Sequence, residues 1–269
     1  MTWSSRSTPV ATATAATDGN ERHGTEGPDH SRHRRRLGHR AGHRPAPRAR
    51  RRDARARRPG AARGAPPGAH AERLDVRDDD AVARCVAAVL ERHGRIDALV
   101  NCAGVGSIGT LPETSLAHWD EVMDVNLRGT MAMCRAALPA MLARRRGAIV
   151  NVGSTFGLLA RENCVAYSVS KAAVIQLTRC LAIDIADGGV RVNAVCPGFI
   201  ETAMTSPLLT PEAADLLRRN RQAHAMRRTG QPEEVAEAIA WLVSDRASFV
   251  TGIAMPVDGG YTSGKWLGD

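Results

Sequence analysis

The sequence predicts an α/β protein built on a doubly wound parallel sheet, in which helices cover both faces. From residue 74 onward, short apolar runs of strand length alternate with longer stretches whose apolar residues recur at helical spacing. Strands separated by helices become parallel neighbours in one sheet, because the helix serves as the crossover between them. A chain of 269 residues that is 43% hydrophobic is also long enough for one large domain with a full core.

The predicted elements follow one another with short turns between them. The first helix follows three acidic residues and ends at Gly94, as expected because acids favour the helix start and glycine adopts the left-handed conformation that ends helices. A mixed segment without a clear period precedes the last helix. In chain order we predict a helix over 78–93, a strand over 96–101, a helix over 116–145, a strand over 148–152, a helix over 164–187, a strand over 190–195, a helix over 232–243 and a strand over 253–257.

Polar or turn-forming residues stand where three of these strands end. Asn101, Ser154 and Pro197 each follow an apolar strand. Ligands of doubly wound sheets bind at the carboxyl ends of the strands. We therefore expect the functional site at this edge of the sheet.

A tyrosine and a lysine four residues apart are the sharpest candidates for chemistry. Tyr167 and Lys171 lie one turn apart on the same helix face. A nearby cation favours the phenolate form and brings a tyrosine closer to the pKa range of an acid–base catalyst. The alternative is two neighbours on a surface helix, although the chain contains only two tyrosines and two lysines.

Two further polar residues could complete a site. The hydroxyl of Ser154, thirteen residues before the tyrosine, could donate a hydrogen bond to a substrate oxygen. Asn126 interrupts the long helical pattern, where its amide could bind backbone or an ordered water near the lysine. The structural alternatives are that Ser154 caps a turn and that Asn126 marks a helix kink.

The basic character of the chain is confined to its first quarter. The formal net charge is +9, yet residues 1–70 contain sixteen arginines and five acids, and the remaining 199 residues carry a net charge of −2. Residues 1–70 show no periodicity, and their composition is typical of disorder. The charge therefore gives no reason to treat residues 71–269 as a nucleic-acid-binding domain, although an arginine-rich tail would bind phosphate.

The cysteines and the apolar runs indicate a soluble cytoplasmic protein. Six cysteines are scattered without a Cys-x-x-Cys pair, which argues against a disulfide framework or a zinc site. No apolar run reaches the length of a membrane span, and the N-terminus lacks an apolar signal core. We predict no metal and no membrane partner.

Together, the motifs resemble the short-chain dehydrogenase/reductase family in its compact Rossmann-like form. The resemblance covers residues 74–269. It implies that Tyr167 is the general acid/base, that Lys171 lowers the pKa of the tyrosine and holds the cofactor ribose, and that Ser154 orients the reacting oxygen. Asn126 would anchor a water-mediated proton relay. The motifs are Asn101-Cys-Ala-Gly104, Asn126, Ser154, Tyr167-x-x-x-Lys171 and Pro197-Gly198.

The resemblance also implies an NAD or NADP cofactor and hydride transfer to or from a small alcohol or carbonyl substrate. The family is usually dimeric or tetrameric, and the loop between Thr202 and Met226 would bind the substrate, with Met204, Leu208 and Leu209 suggesting an apolar pocket. The expected cofactor-binding residues are Asp75, Val76, Asn101, Ala103, Gly104, Tyr167, Lys171, Pro197, Ile200 and Thr202.

One family motif is missing, the glycine-rich turn that binds the cofactor pyrophosphate. We also expect the family's first two strands to be missing or replaced. Residues 33–40 stand where the turn should lie, and codons for them read one base later permit Thr-Gly-Gly-Gly-Ser-Gly-Ile-Gly. We therefore expect residues 1–70 to be disordered or translated out of frame, followed by the catalytic domain over 71–269. The alternatives are a catalytically inactive remnant that cannot bind a dinucleotide, and a family domain with a basic nucleic-acid-binding tail.

Overall fold

The computed structural model describes residues 10–13 and 70–264. Five strands form one sheet in the order β1-β2-β3-β4-β5, and all neighbouring strands pair in parallel. The predicted α/β fold is confirmed. The strands are β1 Val10–Ala13, β2 Ala98–Asn101, β3 Gly147–Val152, β4 Val190–Pro197 and β5 Ala254–Val257. The helices are α1 Asp79–His93, α2 Leu116–Met123, α3 Gly129–Ala143, α4 Thr155–Leu158, α5 Val165–Ile185, α6 Ala214–Ala223 and α7 Pro232–Val243.

The core lies on both faces of the sheet. Consecutive strand residues point to opposite faces, so Ile149 belongs to one apolar cluster and Val150 to the other. Helices α1, α3 and α5 contribute to the first cluster, and α7 contributes to the second. Helices on both faces make the sheet doubly wound, as predicted. Over residues 70–264, no helix is long and apolar enough to cross a membrane.

Helix ends follow the capping residues of the sequence. The Asp78 carboxylate accepts a 2.9 Å hydrogen bond from the Ala81 backbone N–H and starts α1, and Gly94 ends it at φ 68°. Helix α7 starts at Pro232 with a reciprocal capping box between Gln231 and Glu234. These ends match the predicted bounds of both helices.

The predicted long helix over 116–145 is interrupted. Five residues, Asp124–Arg128, form a π-helical turn between α2 and α3. The helix predicted over 164–187 ends at Ile185 and continues as a short 3₁₀ turn. The mixed segment contains a helix that we did not predict, α6, because its few apolar residues stand among arginines and give a weak signal.

One strand was not expected. We predicted no strand in residues 1–70, yet β1 pairs in parallel with β2. An open sheet edge presents unpaired backbone N–H and C=O groups that an extended Val/Thr-containing segment can satisfy, which accounts for the pairing. The predictions of disorder or a shifted frame concern residues that lie otherwise outside the described part of the chain.

Candidate active site

Helix α5 carries the predicted tyrosine and lysine on its inner face. Lys171 is 4% exposed, and its Nζ donates a 2.8 Å hydrogen bond to the Val152 carbonyl at the end of β3. The same Nζ lies 5.8 Å from the centroid of the Tyr167 ring. The helix thus brings an ammonium and a phenol together beside the carboxyl end of the sheet.

Burial controls the charge states of this pair. It lowers the pKa of Lys171 to about 8, because the ammonium is removed from water. Burial also raises the pKa of Tyr167, and a hydrogen bond with the Ser154 hydroxyl acts in the opposite direction. We expected the lysine to lower the pKa of the tyrosine. In this geometry desolvation of the phenol outweighs the other effects, so the pKa is raised.

Ser154 lies between β3 and α4. Its Oγ accepts a 3.1 Å hydrogen bond from the Phe156 backbone N–H, so the serine caps α4 as well as contacting the phenol of Tyr167. Gly157 brings α4 very close to α5, since a Cβ at this position would lie 2.7 Å from the Lys171 carbonyl carbon. The close approach holds the serine against the tyrosine helix.

Asn126 lies on the π-helical turn and is fully buried. Its Oδ1 accepts a 2.8 Å hydrogen bond from the Val105 N–H, while its Nδ2 donates to the Val105 carbonyl and to Ser170 Oγ. π-Helical turns often occur at functional sites. Both amide hydrogens are used within the protein, so the side chain fixes the turn after β2 against α5. The proton-relay role of Asn126 stays a prediction.

Gly104 separates Asn126 from Lys171. A Cβ on this glycine would lie 3.3 Å from both Asn126 Oδ1 and Lys171 Nζ. A side chain here would crowd the two polar groups. The predicted turn therefore approaches the lysine closely, while the half-buried Ala103 packs against the core.

The side chain of Asn101 is hydrogen-bonded within the protein, and the predicted role of this residue in cofactor binding stays a prediction. Asn101 is buried, and its Nδ2 donates to Asn151 Oδ1 at 2.8 Å and to Cys134 Sγ at 3.3 Å. Asn151 in turn donates to Thr178 Oγ1 at 2.9 Å. The Asn101 side chain faces the helices beneath the sheet, so it links β2, β3 and α5 instead of facing a ligand.

The residues predicted for the adenine end lie just before α1. The Asp75 carboxylate is exposed and pairs with the Arg77 guanidinium at 2.6 Å, which holds its pKa below the usual range. The Val76 side chain is buried in the core, where a Cβ on Gly129 would come within 2.5 Å of it. The roles of Asp75 and Val76 in cofactor binding stay predictions.

The loop after β4 contains the other predicted contacts. Ile200 is buried, and Thr202 is exposed. Thr205 was not predicted: its hydroxyl donates to the Ile200 carbonyl at 2.7 Å and accepts from the Thr202 N–H at 2.9 Å. Pro197 ends β4 directly before this loop. Ile200 and Thr202 are therefore joined through a hydroxyl that both donates and accepts.

An aromatic group that the sequence did not reveal surrounds the tyrosine. The Phe156 ring meets the Tyr167 and Tyr261 rings at centroid distances of 6.3 Å, and the Arg161 guanidinium lies 5.1 Å over the Phe156 ring. The ring of the buried His224 lies 5.1 Å from the Tyr261 ring, tilted by 40°. These residues are far apart in sequence, and no local pattern predicts their contact.

The sequence matches the family described as enoyl-(acyl carrier protein) reductase over residues 40–262. The chain belongs to the short-chain dehydrogenase/reductase family. The resemblance found in the motifs is thereby confirmed, and membership places the chain among oxidoreductases.

Relatives and solved structures of this family match about 70% of the chain. Inactive 2-(S)-hydroxypropyl-CoM dehydrogenase 2 of Xanthobacter autotrophicus is 42% identical over 191 residues, which are 70% of this chain and 83% of that protein. The 3-oxoacyl-(acyl-carrier-protein) reductase FabG of Thermotoga maritima is 42% identical over 187 residues, covering 70% and 74%. The structure of ElxO with NADP bound aligns with a TM-score of 0.68 and 33% identity, covering 72% of this chain and 78% of that one.

Proposed function

We propose that the protein transfers a hydride between a nicotinamide cofactor and a C=O/CH–OH substrate, with Tyr167 as the general acid/base. The observation that carries the proposal is the position of the buried Lys171 Nζ, 5.8 Å from the centroid of the Tyr167 ring at the carboxyl end of β3, with the Ser154 hydroxyl beside the phenol. A phenol, a hydroxyl and a cation at the carboxyl end of a parallel sheet supply the groups that proton transfer needs.

Lys171 and the loop after β4 are suited to bind the ribose and nicotinamide end of NAD or NADP. An ammonium has three hydrogens, and in residues 70–264 Lys171 Nζ makes one hydrogen bond and no ion pair, which leaves donors for ribose hydroxyls. The Ile200–Thr202 segment, which the Thr205 hydroxyl fixes after β4, would hold the carboxamide. When bound, the nicotinamide supplies the hydride chemistry, and the protein handles the proton.

The proton path follows from the groups around Tyr167. In the oxidation direction, the phenolate accepts the hydroxyl proton of the alcohol, while Ser154 donates a hydrogen bond to the same oxygen. In reduction the neutral phenol returns that proton to the new alkoxide. While Lys171 is protonated, its charge would favour the phenolate, because an opposite charge nearby stabilises the ionised form, whereas burial of the phenol acts in the opposite direction.

The names of the relatives support this reaction type. They describe dehydrogenases of hydroxyl compounds and a reductase of 3-oxoacyl groups, so a secondary alcohol/ketone pair is the proposed substrate class. One relative is named inactive.

A second candidate is a family member that cannot bind a dinucleotide. The observation in its favour is that residues 1–73 contain no Thr-Gly-x-x-x-Gly-x-Gly sequence, the turn that holds the pyrophosphate in this fold. Such a protein would retain the proton-transferring residues without their cofactor. Fluorescence titration with NADH and NADPH separates the two candidates, because absence of saturable binding favours the inactive form.

The test of the first candidate uses both tyrosines of the chain. Turnover of NAD⁺ and NADP⁺ is followed at 340 nm with a panel of secondary alcohols. We expect Tyr167→Phe to lower kcat at least 100-fold with nearly unchanged cofactor affinity. Tyr261→Phe removes a hydroxyl from the same aromatic group and serves as the matched control. Wild-type rates in Tyr167→Phe would contradict the assigned role.

We also propose that the protein is a cytoplasmic homodimer or homotetramer. Two apolar side chains support this, since Leu116 at the start of α2 and Ile183 near the end of α5 are each 82% exposed. Exposed apolar residues on helices suit an interface between copies. Light scattering after size exclusion measures the mass, and a monomer across the micromolar range would contradict the proposal.

A further inference from the structure

A concave cavity of about 520 Å³ lies beside α6, in the segment that joins the candidate active site to β5. Its volume is in the range of small-molecule sites. Leu209, Ala214 and Leu217 form an apolar wall. Three arginines stand at its rim, Arg218, Arg221 and Arg227. The cavity therefore combines apolar and cationic surface.

The positive charge is local to this segment. Residues 209–228 contain five arginines and two acids, whereas residues 71–269 as a whole carry a net charge of −2. Without this segment the rest of the domain is more acidic still. A cavity with one sign of charge concentrates ligands of the opposite sign.

The three arginines differ in how far they are neutralised. Arg218 pairs with the Asp215 carboxylate, and Arg227 donates to the Gln222 carbonyl. Arg221 makes no side-chain hydrogen bond or ion pair within residues 70–264, and it lowers the pKa of Glu201 only through space. Its planar guanidinium can hold a phosphate, carboxylate or sulfonate through two parallel hydrogen bonds.

Two exposed methionines lie near the ends of this part of the chain, and Met204 approaches the turn after β2. The Met204 sulfur lies 3.8 Å from where a Cβ on Gly106 would be, on the turn after β2. At the other end of the segment, the Met226 N–H donates a 3.0 Å hydrogen bond to the Gly259 carbonyl. Both methionines are more than half exposed. An apolar chain can lie along such flexible side chains.

We propose that this cavity binds the acidic end of an amphiphilic substrate, an apolar chain that carries a terminal phosphate, carboxylate or sulfonate. The apolar wall would hold the chain, and Arg221 would hold the anion. The proposal rests on the proposed function in assigning a substrate class to the same enzyme. The proposal predicts that tight binding requires both the apolar chain and the anionic group of the ligand.

Direct binding to the full-length protein tests the proposal without cofactor or turnover. The probes are octyl phosphate, 1-octanol and inorganic phosphate, titrated by calorimetry. We expect octyl phosphate to bind at least tenfold more tightly than either of the other two. Arg221→Gln is expected to weaken octyl phosphate binding about tenfold, and Arg221→Lys by only a few-fold.

Arg219→Gln is the matched control, because Arg219 lies on the same helix, outside the cavity lining, and pairs with Asp215. We expect a change of less than twofold. Equal loss in Arg219→Gln and Arg221→Gln would overturn the proposal, as would equal affinity for 1-octanol or for inorganic phosphate. A protein that binds octyl phosphate as expected but shows no dehydrogenase activity contradicts the proposed reaction and leaves the binding site standing.

Discussion

The side-chain amide of Asn126 donates a 2.9 Å hydrogen bond to the Ser170 hydroxyl, which itself donates at 2.7 Å to the Tyr167 carbonyl. The bond joins the π-helical turn to α5. Because the same amide also binds the Val105 backbone, one buried side chain fixes both the turn after β2 and the helix of the proposed catalytic tyrosine.

Replacing Asn126 should therefore affect stability and catalysis together. Asn126→Ala leaves the part-buried N–H and C=O of Val105 without their side-chain partner and removes one of the two hydrogen bonds of the Ser170 hydroxyl. We expect the unfolding free energy to fall by about 2–4 kcal/mol. We also expect kcat to fall about tenfold or more, because α5 loses a fixed position. Urea unfolding and initial rates measure the two effects.

Asn193→Ala is the matched control. Asn193 is a buried asparagine on β4 whose amide likewise bridges backbone groups, the Val250 carbonyl and the Ile253 N–H, away from Tyr167. A similar stability loss with unchanged kcat per folded molecule is expected there. Equal losses of kcat in the two variants would argue against a positioning role for Asn126.

Most of the sheet could be predicted because its strands are short apolar runs separated by clear helices. The π-helical turn could not be predicted from the sequence. In such a turn each backbone hydrogen bond reaches one residue further than in an α-helix, and this change does not require a different amino-acid composition. The sequence shows Asn126 only as an interruption of the apolar pattern of a long helix, and it does not reveal the type of turn. Helix α6 was missed because Leu216 and Leu217 alone, among several arginines, do not outline an apolar face.

The direction of the Asn101 side chain could be predicted from the alternation of side chains along β2. Asn101 pairs with Asn151 across the sheet, as Leu99 pairs with Ile149. Side chains two apart in a strand share a face, and Leu99 faces the core under α3. The contacts of His224 and Tyr261 depend on tertiary packing, which no local pattern reveals.

Ser154→Ala should shift the pH dependence of turnover. The Ser154 hydrogen bond lowers the pKa of Tyr167, so its loss raises that pKa and moves the rise in alcohol oxidation to higher pH. We expect kcat at pH 7 to fall about 100-fold, measured as a pH–rate profile.

Ser115→Ala controls for the lost helix cap, since Ser115 caps α2 by accepting from the His118 N–H. It should lower stability by about 1 kcal/mol and leave the pH profile unchanged. If Ser154→Ala also left the profile in place, the serine would act only as a cap.

Gly157→Ala should separate α4 from α5. The new Cβ would lie 2.7–2.8 Å from backbone atoms of Lys171 and Ala172, which cannot rotate away. We expect a loss of about 1–3 kcal/mol in unfolding free energy, measured with urea. Gly106→Ala is the control for stability, because its Cβ would meet only the flexible Met204 at 3.8 Å. Equal stability of the two variants would contradict the close approach.

Lys171→Met should reveal the buried charge through the pH dependence of stability. The pKa of Lys171 is lowered to about 8 in the folded protein, from 10.5 for the free side chain. Between these values the unfolded chain binds the proton and the folded protein does not. The unfolding free energy of the wild type therefore rises with pH in this window, relative to a variant that lacks the ammonium.

Below pH 8 the folded wild type carries a desolvated ammonium, so its stability is lowest there relative to Lys171→Met. Raising the pH through 10.5 should increase the stability difference, wild type minus variant, by about 3 kcal/mol. Urea unfolding of both proteins at several pH values measures it, and other titrating groups cancel to first order because both proteins share them. A difference that stayed flat or fell with rising pH would contradict the lowered pKa of Lys171, because the ammonium would then be well solvated or paired in the folded protein.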